Sequence, residues 1–275
     1  VDILERLVSD FGKRRLLLFA GAGLSKNLGL PSWSELIDHL ATELDFDREV
    51  FKGLGSYPML AQFYKHTAGS LDTLISWMRL NWLADSIDLA GSECHRLITH
   101  AKFPVIYTTN YDHWLERSHE YWGKPYDRIV TGPDIVRAEL DSTHIVKFHG
   151  DLDLPNTMVL TESDYFDRLS FEHELDIKLR ADMQQYSLLF IGYSLADPNI
   201  RLILHRLAKF REKLRDPHAD LCSYIFLGSE NIVETALLRR WHIEPIISRE
   251  LDQGIALKEF LEELLLGRID SAGTP

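Results

Sequence analysis

The sequence predicts an α/β protein built on a doubly wound parallel sheet of about six strands, with a helical insert. Three observations predict it. Short apolar runs recur along the whole chain, at 15–20, 103–108, 144–148, 187–191, 222–227 and 243–247. Helix-patterned stretches separate these runs, and strands alternating with helices form parallel βαβ units. Several runs stop abruptly at small or polar residues, as at Gly21, Thr109, His149 and Gly192. Such strand tips are where open α/β sheets bind ligands.

Taken in order, Ile3, Leu4, Leu7, Val8 and Phe11 follow helical spacing, and Gly12 ends that helix. The start reads as an amphipathic helix and not a signal peptide. No initiating methionine precedes Val1, so a trimmed chain is expected. Leu16 to Ala20 reads as a buried strand, because glycine stops an apolar run. Gly21 and Gly23 supply turn geometry and allow close backbone approach. With Ala22 and Ser25 they read as a loop for a dinucleotide's phosphates, small residues with N–H groups beside a helix start. Lys26 stands where the third glycine of G-x-G-x-x-G would be, and a plain strand-to-loop turn is the alternative. Ser32 and Glu35 have capping-box spacing before an apolar face of Leu36, Ile37, Leu40 and Leu44. Trp33 is either a core anchor or a pocket wall.

Residues 45–100 read as the helical insert, within a single domain spanning 1–275. The second strand runs into Thr109-Asn110-Tyr111-Asp112, where Asn110 is a ribose or water ligand or a turn residue, and Asp112 is a ligand or a helix cap. The third ends in His149-Gly150-Asp151, and a histidine at a strand tip is a candidate general base. Asp151 and Asp153 read as a solvated turn, with metal ligation as the alternative. Thr161 opens a further helix. The fourth strand ends in Gly192-Tyr193-Ser194, and Asp197-Pro198 signals the next helix start. Two more strand–helix pairs close the chain, the last helix being amphipathic.

Composition narrows the class. A net charge of −12 argues against a general nucleic-acid surface. The two cysteines, Cys94 and Cys222, lie in no ligand pattern, so neither a zinc ribbon nor a disulfide framework is expected, and a reducing cytoplasm fits. No apolar run approaches the ~20 residues that span a bilayer.

Four strand tips carry Gly-Ala-Gly-Leu-Ser, Thr-Thr-Asn-Tyr-Asp, Phe-His-Gly-Asp and Gly-Tyr-Ser-Leu, in that order. Their order and wording resemble the sirtuin superfamily, with its Gly-Ala-Gly-x-Ser, Thr-Gln-Asn-x-Asp, His-Gly and Gly-x-Ser segments. The resemblance covers most of the chain. It implies a Rossmann-like fold that binds NAD+ and cleaves the nicotinamide–ribose bond. Three departures stand out: there is no four-cysteine zinc ribbon, Thr109 replaces the usual glutamine, and Pro31-Ser32-Trp33-Ser34 stands where Pro-Asp-Phe-Arg is usual. The wording Thr-Asn-Tyr-Asp and Ile-Gly-Tyr-Ser-Leu-Ala-Asp-Pro-Asn is similar to the bacterial sirtuin-like branch of anti-phage defence. In that branch the domain is an NAD+ glycohydrolase.

The resemblance also distributes roles. Asn110 and His149 would be catalytic, the first positioning the ribose and attacking water, the second accepting a proton. Gly21, Ala22, Gly23 and Ser25 would hold the pyrophosphate. Asp112 would contact the nicotinamide amide, and Gly192 and Ser194 would line the adenosine-side ribose. Trp33 and Thr109 complete the expected NAD+ pocket, and no metal is expected. The alternatives are an NAD-dependent protein deacylase, an ADP-ribosyltransferase and a non-catalytic NAD or ADP-ribose sensing module. A homo-oligomer is expected. A sensor or activator is expected on another chain, an ATPase such as a HerA-type partner or an Argonaute-type protein, with no membrane association.

Overall fold

The computed structural model describes residues 3–170, 172–193, 198–213 and 221–267. Its centre is one sheet of seven strands: β1 Leu16–Ala20, β2 Val105–Thr108, β3 Tyr126–Ile129, β4 Thr143–Lys147, β5 Ser187–Ile191, β6 Ser223–Leu227 and β7 Ile243–Ile247. The spatial order is β3-β4-β2-β1-β5-β6-β7, and every pair is parallel. This is the doubly wound sheet the apolar runs predict, with one strand more than expected. The additional strand is β3. It lies on an edge, has four residues and is mostly half-buried or exposed, so no continuous apolar run announces it.

Four of the legible strands, β1, β2, β5 and β6, are buried along their whole length. Along β1, Leu16, Leu18 and Ala20 enter one core and Leu17 and Phe19 the other. Helices Ile3–Gly12, Glu93–Ala101 and Gln253–Leu266 cover the first face. Helices Glu174–Asp182, Pro198–Lys213 and Ile232–Arg240 cover the second. A third apolar cluster joins Leu36, Ile37, Leu40, Phe51, Leu60, Leu74 and Met78 of the helices between 33 and 82 to Tyr111, Trp114 and Leu152 beside the sheet. The Ser32–Glu35 capping box forms as its spacing predicts, with Ser32 N–H donating to Glu35 Oε2 at 2.7 Å. So does a second one at Thr161 and Asp164.

Three registers place the functional edge. Ala20 of β1 stands opposite Thr108 of β2 and Ile191 of β5, and Thr108 stands opposite Lys147 of β4. The carboxyl ends of these four strands therefore leave the sheet together. Winding reverses between β1 and β5, which makes that gap the ligand crevice of an open α/β sheet. The chain crosses it with very little room. Gly192 has φ +70°, and a Cβ built on it would lie 2.7 Å from Leu24 N and 2.9 Å from Gly21 O. Such a position needs glycine both for its dihedral angle and for its neighbours. Replacing Gly192 with Ala is expected to lower unfolding free energy by about 1–3 kcal/mol, measured by urea denaturation.

Candidate active site

The site is built at the tips of β1, β2, β4 and β5. After Ala20 the chain turns directly into a short helix, Ala22–Lys26, with Gly21 at its N-cap. Gly21 N–H donates to Ile191 O at 2.9 Å and Gly23 N–H to Gly192 O at 2.8 Å. These two amides are thus spent on binding β1 to the β5 tip. What the glycines contribute is closeness, since a Cβ on Gly23 would lie 2.8 Å from Gly192 Cα.

Ser25, on that helix, is buried and donates to Asp112 Oδ2 at 2.7 Å. Asn110 Nδ2 donates to Ser25 Oγ at 2.8 Å and to Gly21 O at 3.1 Å. Gly21 O can only accept, and Ser25 has given its proton to Asp112. Both neighbours of the amide therefore require a donor, which fixes its orientation. Asn110 is left with its carbonyl oxygen as the group it can offer a ligand. Asp112 Oδ1 accepts from Trp114 N at 3.1 Å, so the carboxylate supports the start of helix Trp114–Tyr121 from one residue before its N-cap, His113.

The loop is backed by Thr108, whose hydroxyl donates to Ala20 O at 2.9 Å and accepts from Asn110 N at 3.0 Å. Thr109 joins through Tyr193: their hydroxyls are 3.2 Å apart, and Tyr193 also donates to Ala20 O at 3.0 Å. Thus Gly21, Gly23, Ser25, Thr109, Asn110, Asp112 and Gly192 are brought into one connected group. Ala22 is the exposed first residue of the short helix in that group. Trp33 is elsewhere, stacked on Tyr57 at a centroid separation of 6.2 Å beside the helical cluster. Ser194 lies outside the described residues.

His149 stands on the adjacent strand tip. Phe148 N–H donates to Thr108 O at 2.7 Å, extending the β2–β4 ladder by one residue, and His149 follows. Its ring stacks beside Phe148 and meets Tyr165 edge-on at 5.5 Å. It lines a cavity of about 40 Å³ with Val159, Tyr165, Arg168 and Leu202. Burial, reinforced by the charge of Arg168, pushes its imidazole down to about 3. Arg168 is itself committed, donating to Asp176 at 3.1 Å and to Phe148 O at 3.0 Å. His149 is therefore neutral near pH 7 and a weak base, not a cation.

Three participants escaped the sequence reading. Tyr193 lies inside a segment already singled out, but its neighbours Gly192 and Ser194 took the roles. His95, fully buried, shares a hydrogen bond with Ser92 at 2.7 Å; burial, opposed by the charge of Asp112, lowers it to about 4. Lys147 is fully buried, 3.3 Å from Glu116 and hydrogen-bonded to the Asp112 carbonyl. The available signal was a lysine in an apolar parallel strand, since lysine is almost never fully buried unpaired. Burial raises the Glu116 carboxyl against the pull of Lys147.

Asp151 is fully buried, contrary to the solvated turn read from the sequence, whereas Asp153 is half exposed. Burial pushes its carboxyl up, but the hydrogen bond from His113 and the charge of Lys147 outweigh this and hold it below the usual range. His113, Asp151 and Asp153 bring three possible metal ligand atoms within 4.8 Å of one another. Cations of the chain already serve them, with Arg128 2.9 Å from Asp153 and 3.6 Å from Asp151.

A switch-point glycine loop tied to a buried Ser–Asn–Asp cluster stands where doubly wound sheets bind their ligands. The comparisons make the class specific. The SIR2-like domain model matches residues 104–246, just over half of the chain, and the chain belongs to that family. NAD(+) hydrolase ThsA of Bacillus cereus (strain MSX-D12) is 31% identical over 222 residues, 78% of this chain and 45% of that protein. The ThsA of Enterococcus faecium is 29% identical over 242 residues, 85% of this chain and 48% of that protein. Defense-associated sirtuin 2 of Bacillus subtilis is 23% identical over 218 residues, 77% of this chain and 21% of that protein. The chain thus spans about half the length of the ThsA relatives.

The buried imidazoles of His149 and His95 set an acid limit on stability, to which His119, also buried and lowered by burial, adds. Unfolded, each takes a proton near its ordinary 6.5; folded, only near 3 for His149 and 4 for His95. Their contribution is complete above pH 6.5 and is lost as pH falls below it, by up to about 1.4 kcal/mol per pH unit for each. Urea denaturation at stepped pH is expected to show this slope between pH 6 and 4.5. The slope should flatten by about one histidine's share in His149→Gln.

Proposed function

We propose that this chain is an NAD+ glycohydrolase, cleaving the nicotinamide–ribose bond. The observation that carries the reading is the Gly21–Ser25–Asn110–Asp112 group at the switch point, one strand tip from a neutral buried histidine. Its similarity to proteins named NAD(+) hydrolases supports the same reading.

The chemistry follows from the leaving group. Nicotinamide is cationic in NAD+ and departs neutral when it keeps the bonding electron pair, so no acid is needed. The ribose gains positive charge as the bond breaks, by analogy with glycoside hydrolysis. A water adds to the anomeric carbon and gives up one proton, yielding ADP-ribose. In this proposal the Asn110 carbonyl oxygen orients that water and a ribose hydroxyl; His149 stays neutral while the bond breaks and takes the proton only from the water already bonded to the anomeric carbon, which is acidic enough for so weak a base. The Gly21–Ser25 loop is assigned to the pyrophosphate through its exposed residue Ala22, Thr109 and Asp112 to the nicotinamide side, and Gly192 to the adenosine-side ribose.

Depletion of NAD+ in anti-phage defence is the role we assign, in line with the name of the third relative. Action in the cytoplasm, as a homo-oligomer switched on by a sensor chain such as an ATPase or Argonaute-type protein, completes it. No helix of the described residues is long and apolar enough to cross a membrane.

The test is NAD+ turnover by the full-length protein, with and without an acetyl-lysine peptide. Hydrolysis to ADP-ribose without peptide is expected, and turnover that needs peptide would transfer the assignment to deacylation. Asn110→Ala and His149→Ala should each slow hydrolysis by at least about 100-fold with folding intact by circular dichroism. Parental rates in both variants would refute the residue roles.

A further inference from the structure

Beneath the cluster lies a buried ionic group that the proposed chemistry does not use. Lys147, Glu116 and Asp151 are all buried, and Lys147 Nζ lies 3.3 Å from Glu116 Oε1 and 3.9 Å from Asp151 Oδ2. Neither oxygen of Glu116 has a hydrogen-bond partner among the described residues. Buried pairs of this kind are often no more stabilising than apolar residues of similar size. Stability is thus a weak reason for a lysine here, and its contacts give a better one.

The amine donates to the Asp112 carbonyl. That places it at one end of a chain of contacts. Asp112 accepts from Ser25, and Ser25 accepts from Asn110. The other end of the same group holds the histidine's segment: Asp151, two residues beyond His149, is 2.9 Å from His113 Nε2. Lys147, two residues before His149, and Asp151, two after it, are therefore both fastened to residues 112–116. The tips of β2 and β4 are tied across this group at three points, the Asp112 carbonyl, Glu116 and His113.

We propose that Lys147 is a positioning residue, which through the Asp112 carbonyl sets the Asn110 amide relative to His149. The inference rests on the NAD+ hydrolase reading above. A reaction held by two strand tips is sensitive to their spacing, and misplacement by about 1 Å costs on the order of 100-fold in rate. Lys147 touches neither substrate nor water in this account.

The experiment compares the full-length parent with Lys147→Met, Glu116→Gln and the pair Lys147→Met with Glu116→Gln, reading urea midpoint, kcat and KM for NAD+. Lys147→Met leaves two buried carboxylates short of a cation and should lose both stability and kcat. The paired variant removes the uncompensated charge at Glu116 and should regain most of the midpoint. Its kcat should stay about 10- to 100-fold below the parent, with KM within about threefold. Glu116→Gln keeps the amine on the Asp112 carbonyl and should stay within about threefold of the parent in kcat. A paired variant with parental kcat overturns the proposal, because stability alone then explains the lysine. An equal loss in Glu116→Gln overturns it too, by moving the effect from the contact to the charge pair. A parent that turns over no NAD+ removes the hydrolase reading itself, and the inference with it.

Discussion

The close approach of Gly192 to the first glycine loop is the constraint from which the site follows. With no side chain at Gly21, Gly23 or Gly192, the β1 and β5 tips come within direct backbone hydrogen-bond distance. That contact sets the axis of the short helix Ala22–Lys26, which carries Ser25 toward Asp112. Ser25 in turn decides which way the Asn110 amide faces. A bulkier residue at any of the three glycines would displace the helix before it displaced any polar group. The polar cluster is thus a consequence of packing, and its orientation is inherited from the sheet.

Much of this was legible because of how the strands are buried. β1 and β5 are covered on both faces and read as unbroken apolar runs, and their glycine stops mark the edge where a ligand binds. β3 was hidden, since Tyr126, Asp127 and Arg128 at an edge look like loop. Individual site residues were visible at strand tips, whereas the bonds between them were not. Ser25 and Asp112 are 87 residues apart and Asn110 and Ser25 are 85 apart, separations that no local pattern encodes. Lys147 illustrates the limit best. It occupies a strand position whose register is predictable, but its partner Glu116 sits on the helix after the neighbouring strand, and only the fold brings the two together. Trp33, read from its place after the glycine loop, is instead drawn toward Tyr57 by an aromatic stack.

The charges around the site have a common pattern. Lys147 faces Glu116, Arg168 faces Asp176, and Arg128 faces Asp153 and Asp151. These three cations near the β2 and β4 tips are each matched by a carboxylate, whereas Arg79 and Arg206 donate to the Leu152 and Leu169 carbonyls. His149 adds no charge, because burial keeps it neutral well below pH 7. In a low-dielectric setting an unmatched cation would project its potential over several ångströms.

This pairing suits a sugar that becomes positive as its bond to nicotinamide breaks. An unpaired lysine or a protonated histidine beside it would oppose that charge, at a cost that grows as water is excluded. A carbonyl oxygen on Asn110 and a neutral imidazole oppose nothing, and both accept hydrogen bonds that strengthen as a hydroxyl or water becomes more acidic. The same reasoning explains why a protein with net charge −12 need not repel an anionic dinucleotide at this point. The local carboxylates are already engaged: Asp112 by Ser25 and Trp114, Asp176 by Arg168, Glu116 by Lys147. What the crevice presents to a ligand is backbone, hydroxyl and amide, and screening by salt reduces the long-range field of the remaining surface within roughly 8–10 Å.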